Sequence, residues 1–213
     1  MKRCIVIGPM DVDFEIKKII TADDIVFCAD GGYLQAKKLG IEPDIIIGDF
    51  DSAPKPIDTT ATIISLPKEK DDTDTHYIAK QIVSEEYTDV LLYGMTGGRF
   101  DHTFSNLQTL KFFAENGVNA VMNDKNSSIM IIKDTSICIE SKDNCYLSIF
   151  SFDNDVYGVT IKNTKYEVNN VDLSNNFPIG VSNEFLDKPA IISVKKGSLL
   201  IVITKKDWYY DKN

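Results

Sequence analysis

Six short apolar runs punctuate the first half of the chain, at residues 4–7, 25–29, 45–47, 62–65, 90–93 and 118–122. Each spans three to five residues and is apolar nearly throughout, the pattern of strands buried on both faces. The gaps between them carry helical spacing. One such stretch runs from about residue 13 to 20, and another from about 33 to 39 stops at Gly40. A third puts Ile78, Ile82 and Val83 on one face, and a fourth is expected to bury Phe104, Leu107, Leu110 and Phe113 before Asn116-Gly117. Repeated strand–helix units fold as a mostly parallel sheet covered by helices on both faces. Ligands of such sheets sit beyond the carboxyl ends of the strands.

Four of the strand exits are unusual: Asp30-Gly31-Gly32, residues 48–52, residues 70–74 and residues 94–102. The run Ile45-Ile46-Ile47 ends at Gly48 and is followed by Asp49, Phe50, Asp51 and Ser52. In an extended backbone, residues two apart share a side at roughly 6.5–7 Å, so Asp49 and Asp51 would face one way. Phe50 would turn to the core, and the two carboxylates would share a hard cation. The glycines at 94, 97 and 98 permit close backbone approach to a phosphate, with a helix starting near Asp101 aiming free N–H groups at it. Arg99 adds a bidentate charged contact.

Asp71, Asp72 and Asp74 precede a helix, where capping and the helix dipole favour carboxylates, and Asp72 is expected to be the solvated one. Asp30, Asp49, Asp51, Asp71 and Asp74 at one sheet edge would repel each other without a cation. An oxygen-only donor set favours magnesium over zinc. His102 is expected as a structural hydrogen-bonder and His76 as a helix-surface residue. Carboxylates, magnesium, a glycine loop and an arginine together suggest phosphoryl or pyrophosphoryl transfer. Neither a P-loop nor a Gly-x-Gly-x-x-Gly fingerprint occurs.

After about residue 125 the character changes. Short strands are expected at residues 128–132, 136–140, 146–152, 156–161, 190–194 and 199–204, with hairpin loops at 153–155 and 195–198. The fold class is therefore an α/β domain, residues 1–125, followed by an all-β sandwich, residues 126–213. A net charge of −9 disfavours nucleic acid and anionic membrane as partners, and a divalent metal would carry any phosphate ligand. No apolar run approaches the length of a membrane span, and residues 4–9 are too short for the core of a signal peptide, so a cytoplasmic location is expected. Cys4, Cys28, Cys138 and Cys145 include no Cys-x-x-Cys pair, and the first two fall in core strands, which argues against zinc or disulfides.

These exits resemble the signatures of the thiamine pyrophosphokinase family: Asp30-Gly31-Gly32, Gly48-Asp49-Phe50-Asp51-Ser52, Lys70-Asp71-Asp72-Thr73-Asp74 and Gly97-Gly98-Arg99-Phe100-Asp101-His102. Gly180-Val181-Ser182-Asn183-Glu184-Phe185 extends the resemblance into the second domain. The resemblance implies a homodimer with active sites at the subunit interface, and transfer of pyrophosphate from ATP to the hydroxyl of thiamine, releasing AMP. It implies Asp49, Asp51 and Asp74 as magnesium ligands with Asp71 close by, Asp71 or Asp74 accepting the hydroxyl proton. Asp30, Gly31, Thr73, Gly97, Gly98, Arg99 and Asp101 would hold the nucleotide, with Arg99 also serving the transfer. Ser182 and Asn183 would contact thiamine. Phe185 stands near the place where some members carry a stacking tryptophan, and Trp208 is given no role. Two alternatives compete: a magnesium phosphohydrolase with Asp49 or Asp51 as nucleophile, and a noncatalytic nucleotide- or thiamine-binding module.

Overall fold

The computed structural model describes residues 2–51 and 53–207, so Ser52 and Trp208 lie outside the described residues. The chain forms two compact units, residues 1–125 and 126–213. The first contains β1 (Arg3–Ile7), α1 (Ile16–Ile19), β2 (Ile25–Ala29), α2 (Gly32–Leu39), β3 (Ile45–Gly48), β4 (Thr62–Ser65), α3 (Asp74–Ser84), β5 (Asp89–Tyr93), α4 (Phe100–Glu115) and β6 (Asn119–Asn123). Its strands lie in the order β4-β3-β2-β1-β5-β6, every neighbouring pair parallel.

Alternation along the strands splits the apolar residues between two faces. Ile5, Ile7, Val26, Cys28 and Ile46 pack with Ile16 of α1 and Tyr33, Ala36 and Leu39 of α2. Their neighbours Val6, Phe27 and Ile47, also buried, point to the opposite face, and α3 packs on β2 and β3 through its buried Ile78, Ala79 and Ile82. Helix α2 stops where Gly40 takes a left-handed φ of 65°; Ile41 N–H returns to Ala36 O at 2.9 Å, closing the last turn. Cys4 and Cys28 are fully buried, free thiols that burial pushes up to about 12.

Two helices differ from their sequence patterns. The stretch from 13 to 20 forms only the single turn of α1. In α4 the buried face is Asn106, Thr109, Leu110 and Phe113, whereas Phe104 is 48% exposed and Leu107 half-buried. Asn106 turns inward because its amide donates to Met95 O at 2.8 Å, which rotates Phe104 outward.

The second unit contains β7 (Ser127–Lys133), β8 (Ser136–Ile139), β9 (Cys145–Ser151), β10 (Val156–Lys162), β11 (Val168–Leu173), β12 (Asn183–Glu184), β13 (Ala190–Ser193) and β14 (Ser198–Lys205). Strands β12-β9-β14-β7 pair antiparallel in one layer and β11-β10-β13-β8 in the other. Residues 153–155 and 195–197 are therefore not hairpin loops. They carry the chain from β9 to β10 and from β13 to β14, which belong to different sheets. Turn residues signal that the chain reverses; which strand it then joins is set by where the buried faces meet. Strands β11 and β12 escape the sequence pattern because Val168–Leu173 is an edge strand rich in exposed polar residues and Asn183–Glu184 is only a two-residue pairing. Among the described residues, no helix is long and apolar enough to cross a membrane.

Candidate active site

Strands β1 to β4 progress outward in one direction, and β5 returns to the other side of β1, which makes β1/β5 the topological switch point. The backbones after these two strands meet there. Gly8 N–H donates to Tyr93 O at 2.7 Å and Met10 N–H to Gly94 O at 3.1 Å. A Cβ on Gly8 would stand 2.5 Å from Gly94 O, so both positions require glycine for this approach. Above them opens a cavity of about 550 Å³, lined on one side by Pro9, Met10, Gly94, Met95 and Gly97, and on the other by Asp30, Asp49, Asp51, Lys70, Thr73 and Asp74.

The acidic side is built by two bends in the backbone. Asp30 leaves β2 with a left-handed φ of 43° while its N–H holds Ile47 O of β3 at 2.7 Å. Phe50 has φ 56°, so the chain does not continue extended beyond Gly48. The two-residue spacing expected for Asp49 and Asp51 is replaced by a tight turn in which Asp51 N–H donates to Asp49 Oδ1 at 3.2 Å. Phe50 still anchors the loop, packing against the core under β2 and β3. Carboxylate oxygens of Asp30, Asp49 and Asp51 all come within 4.8 Å of one another. Asp74, expected among the ligands, is not in this trio, because it sits in the first turn of α3 and reaches the group through Lys70.

Lys70 is the site residue that sequence reasoning passed over. Its ammonium donates to Asp49 Oδ2 at 2.7 Å and forms an ion pair with Asp74 Oδ1 at 2.9 Å, off the angle of a good hydrogen bond. Burial acts against its charge, but the two carboxylates outweigh that and hold its pKa above the ordinary lysine value. The same contact pulls Asp49 below the usual carboxylate range. Asp74 shifts the other way: burial raises its carboxyl, and Lys70 offsets only part of that rise. The signal available in the sequence was the Lys70 to Asp74 spacing of four, which suits an ion pair where the chain enters a helix.

Across the cavity, Gly94, Gly97 and Gly98 take φ values of 66°, 92° and 61°, a loop other residues adopt only with strain. Helix α4 follows it with Arg99 as N-cap, whose side chain makes no capping hydrogen bond, while Asp101 Oδ1 accepts from His102 N–H at 3.0 Å within the first turn. An anion at that end would meet the remaining N–H groups of the turn. Arg99 and Asp101 are exposed and bound to each other at 2.6 Å, which raises the guanidinium pKa and lowers that of the carboxyl.

Other expected residues stand apart from the acidic trio, though Asp72, Thr73 and His102 also line the cavity. Asp71 is exposed and does not line the cavity. Asp72 pairs with Lys80 at 2.7 Å instead of standing free in solvent, and Thr73 caps α3, its hydroxyl accepting from His76 N–H at 3.2 Å. Gly31 is the N-cap of α2, buried beside Ala53 and Pro9. His76, expected on the helix surface, is half-buried: its ring meets Phe112 edge-on at 4.8 Å, and burial lowers its pKa. His102, expected as a structural hydrogen-bonder, lies exposed on the first turn of α4 and lines the cavity.

In the second unit, Ser182 is exposed with φ 60°, its N–H donating to Ser148 Oγ at 3.0 Å. Asn183 is buried, and its amide is spent inside the unit. Its Oδ1 accepts from Tyr166 N–H at 3.0 Å and Glu184 N–H at 2.8 Å, and its Nδ2 donates to Thr164 Oγ1 at 3.1 Å and Tyr166 O at 2.8 Å. Two lone pairs and two protons are all the amide has. Asn183 therefore positions Ser182 and leaves no polar atom for a ligand. Phe185 is half-buried, and its backbone bridges antiparallel to Thr164.

The sequence matches the family described as thiamin pyrophosphokinase, catalytic domain, over residues 16–122, and the thiamin pyrophosphokinase vitamin B1 binding domain over residues 134–199. The thiamine pyrophosphokinase of Bacillus subtilis is 27% identical over 179 residues, covering 81% of this chain and 84% of that protein. Thiamin pyrophosphokinase 1 of Caenorhabditis elegans is 28% identical over 181 residues, 79% of this chain and 72% of its own length. Among solved structures, the Bacillus subtilis thiamine pyrophosphokinase superposes with a TM-score of 0.87 at 23% identity, covering 95% of this chain and 98% of that one. Thiamin pyrophosphokinase from Candida albicans gives 0.81 at 16% identity, covering 95% and 88%. The structural likenesses establish the fold.

Proposed function

This chain belongs to the thiamin pyrophosphokinase family, and we propose that the cavity above the carboxyl ends of its parallel strands is where its reaction takes place. The chain is an ATP:thiamine diphosphotransferase, which makes thiamine pyrophosphate and AMP. One observation carries the assignment of the site: Asp30, Asp49 and Asp51 gather at one rim of a cavity that a glycine loop and the first turn of α4 also line.

Magnesium is the cofactor this donor set suits. Oxygens bound to one magnesium lie at most about 4.2 Å apart, twice a bond of 2.0–2.1 Å. The trio, already within 4.8 Å, reaches that spacing by side-chain rotation, and the buried Asp74 Oδ1, without a well-formed hydrogen bond, faces the same region. Bound there, magnesium would neutralise phosphate charge and orient the reacting groups.

The chain's own residues do the rest. The N–H groups at the start of α4 and the backbone of residues 94–98 hold the phosphates, and Arg99 exchanges Asp101 for a phosphate oxygen in bidentate geometry. Asp74 accepts the thiamine hydroxyl proton in preference to Asp71, because burial makes it the stronger base and it lines the cavity. Ser182 meets thiamine. A homodimer and a cytoplasmic location complete the proposal; sedimentation equilibrium and cell fractionation test them.

Product analysis tests the reaction, using thiamine, magnesium and ATP labelled on its β- and γ-phosphates. Thiamine pyrophosphate carrying both labels, with one AMP released per product, is the expected result. Singly labelled thiamine phosphate with ADP would overturn direct pyrophosphoryl transfer, and a trapped phosphoaspartate would support the hydrolase instead. Asp49→Asn is expected to lower turnover by orders of magnitude, and near-normal turnover would remove Asp49 from the metal shell.

A further inference from the structure

Lys70 stands in the middle of the acidic rim, with only 15% of its side chain exposed. Asp49 Oδ2 faces its ammonium at 2.7 Å, and Asp49 Oδ1 is held by Asp51 N–H at 3.2 Å. Each Asp49 oxygen therefore already has one partner, and Oδ2 faces a positive charge where a metal would bind. Asp74 Oδ1 lies 2.9 Å from the same ammonium without good hydrogen-bond geometry, so the amine serves it as a charge more than as a donor. Among the described residues, the carboxylates of Asp30, Asp49, Asp51 and Asp74 thus line the cavity together with the Lys70 ammonium, which is closely bound to two of them, while Asp72 there pairs with Lys80. A single ammonium bridging two of them is a weaker substitute for a divalent ion. It is also movable, since it ends a flexible four-carbon stem, and Lys70 itself lines the cavity where phosphates would lie.

We propose that Lys70 is a built-in placeholder cation, which holds the acidic rim together in the metal-free protein and turns toward the phosphates of ATP when a divalent ion is taken up. The inference rests on reading Asp30, Asp49 and Asp51 as the magnesium site. It gives Lys70 two partners in succession, carboxylate and then phosphate, with opposite consequences for the two ligands. The amine competes with free metal and assists the metal–nucleotide.

That reversal of sign is what a merely structural lysine would not produce. Lys70→Met and wild type are titrated with manganese, followed by electron paramagnetic resonance, with and without the α,β-methylene analogue of ATP. If the rim is free of the ammonium for a tenth of the time or less, manganese alone binds the variant about tenfold tighter or more. With manganese saturating, the analogue binds the variant several-fold more weakly than wild type. Equal or weaker manganese binding by the variant overturns the placeholder, and equal analogue binding overturns the second half of its role. Manganese binding to neither protein overturns the metal-site reading itself and the inference with it. A measurement on wild type alone guards against a variant that fails to fold: acetylation of lysines, read by mass spectrometry, should rise several-fold at Lys70 on adding magnesium without nucleotide. Unchanged labelling there overturns the proposal.

Discussion

Replacing Gly48 by alanine tests whether the acidic rim depends on close approach of two backbones. Gly48 ends β3 beside Ser65 of β4, and a Cβ there would stand 2.8 Å from the Cα of Asp30 and 3.2 Å from its Oδ1. Ordinary contact begins at 3.4 Å, so the Asp30 backbone must retreat by about 0.6 Å. It cannot do so freely: its N–H is fixed to Ile47 O at 2.7 Å, and its φ of 43° lies in a narrow well. Overpacking of this kind costs about 1–3 kcal/mol of stability. A misplacement near 1 Å costs a reaction on the order of 100-fold, so a shift of about 0.6 Å should lower kcat by roughly 10- to 100-fold. Initial rates of thiamine pyrophosphate formation at saturating substrates measure the loss of kcat, and urea unfolding measures the loss of stability. A loss of stability with kcat indistinguishable from wild type would refute the argument, because Asp30 would then have moved without consequence.

Two further substitutions probe the scaffold. Asp24, 3% exposed, accepts from Arg3 at 2.6 and 2.7 Å and from Thr21, and the Arg3 guanidinium holds its carboxyl down at about 2. A lowered folded pKa contributes stability that is complete above the ordinary carboxylate value and lost as pH falls through about 2. Asp24→Asn should therefore cost about 2 kcal/mol at neutral pH and flatten the acid limb of the stability curve, as followed by urea unfolding between pH ~4 and ~2; parallel curves for the two proteins would refute it. Asn183→Ala should cost about 2 kcal/mol by removing four hydrogen bonds, two of them from the backbone N–H groups of Tyr166 and Glu184, and should raise the KM for thiamine by releasing Ser182. An unchanged KM would separate Ser182 from the substrate.

Much of the first unit is legible along the chain because its signals are local. The run Ile45-Ile46-Ile47 became β3, Gly40 stopped α2, and the exits after β2, β3, β4 and β5 all reached one cavity, because parallel strands place every carboxyl end on the same edge. Legibility failed where a residue's role depends on a distant partner. Phe104 was read as core because its spacing suits a helix face, but the bond from Asn106 to Met95 decides which face turns inward. Residues 153–155 and 195–197 look like hairpin turns, and nothing within them tells which sheet the next strand joins.

The sequence by itself determined most of the element types, the place where the sheet's carboxyl edge carries its acids, and the family those motifs resemble. Only the tertiary structure decided how that edge works. The left-handed turn at Phe50 gathers Asp49 and Asp51 with Asp30, and Lys70 reaches back 21 residues to Asp49. Asn183 spends three of its four amide hydrogen bonds on a turn 17 to 19 residues away. The physical reason is common to all three. Periodicity and stop signals act over a few residues, whereas a charge or amide is satisfied by whichever partner the folded backbone brings within about 3 Å of it.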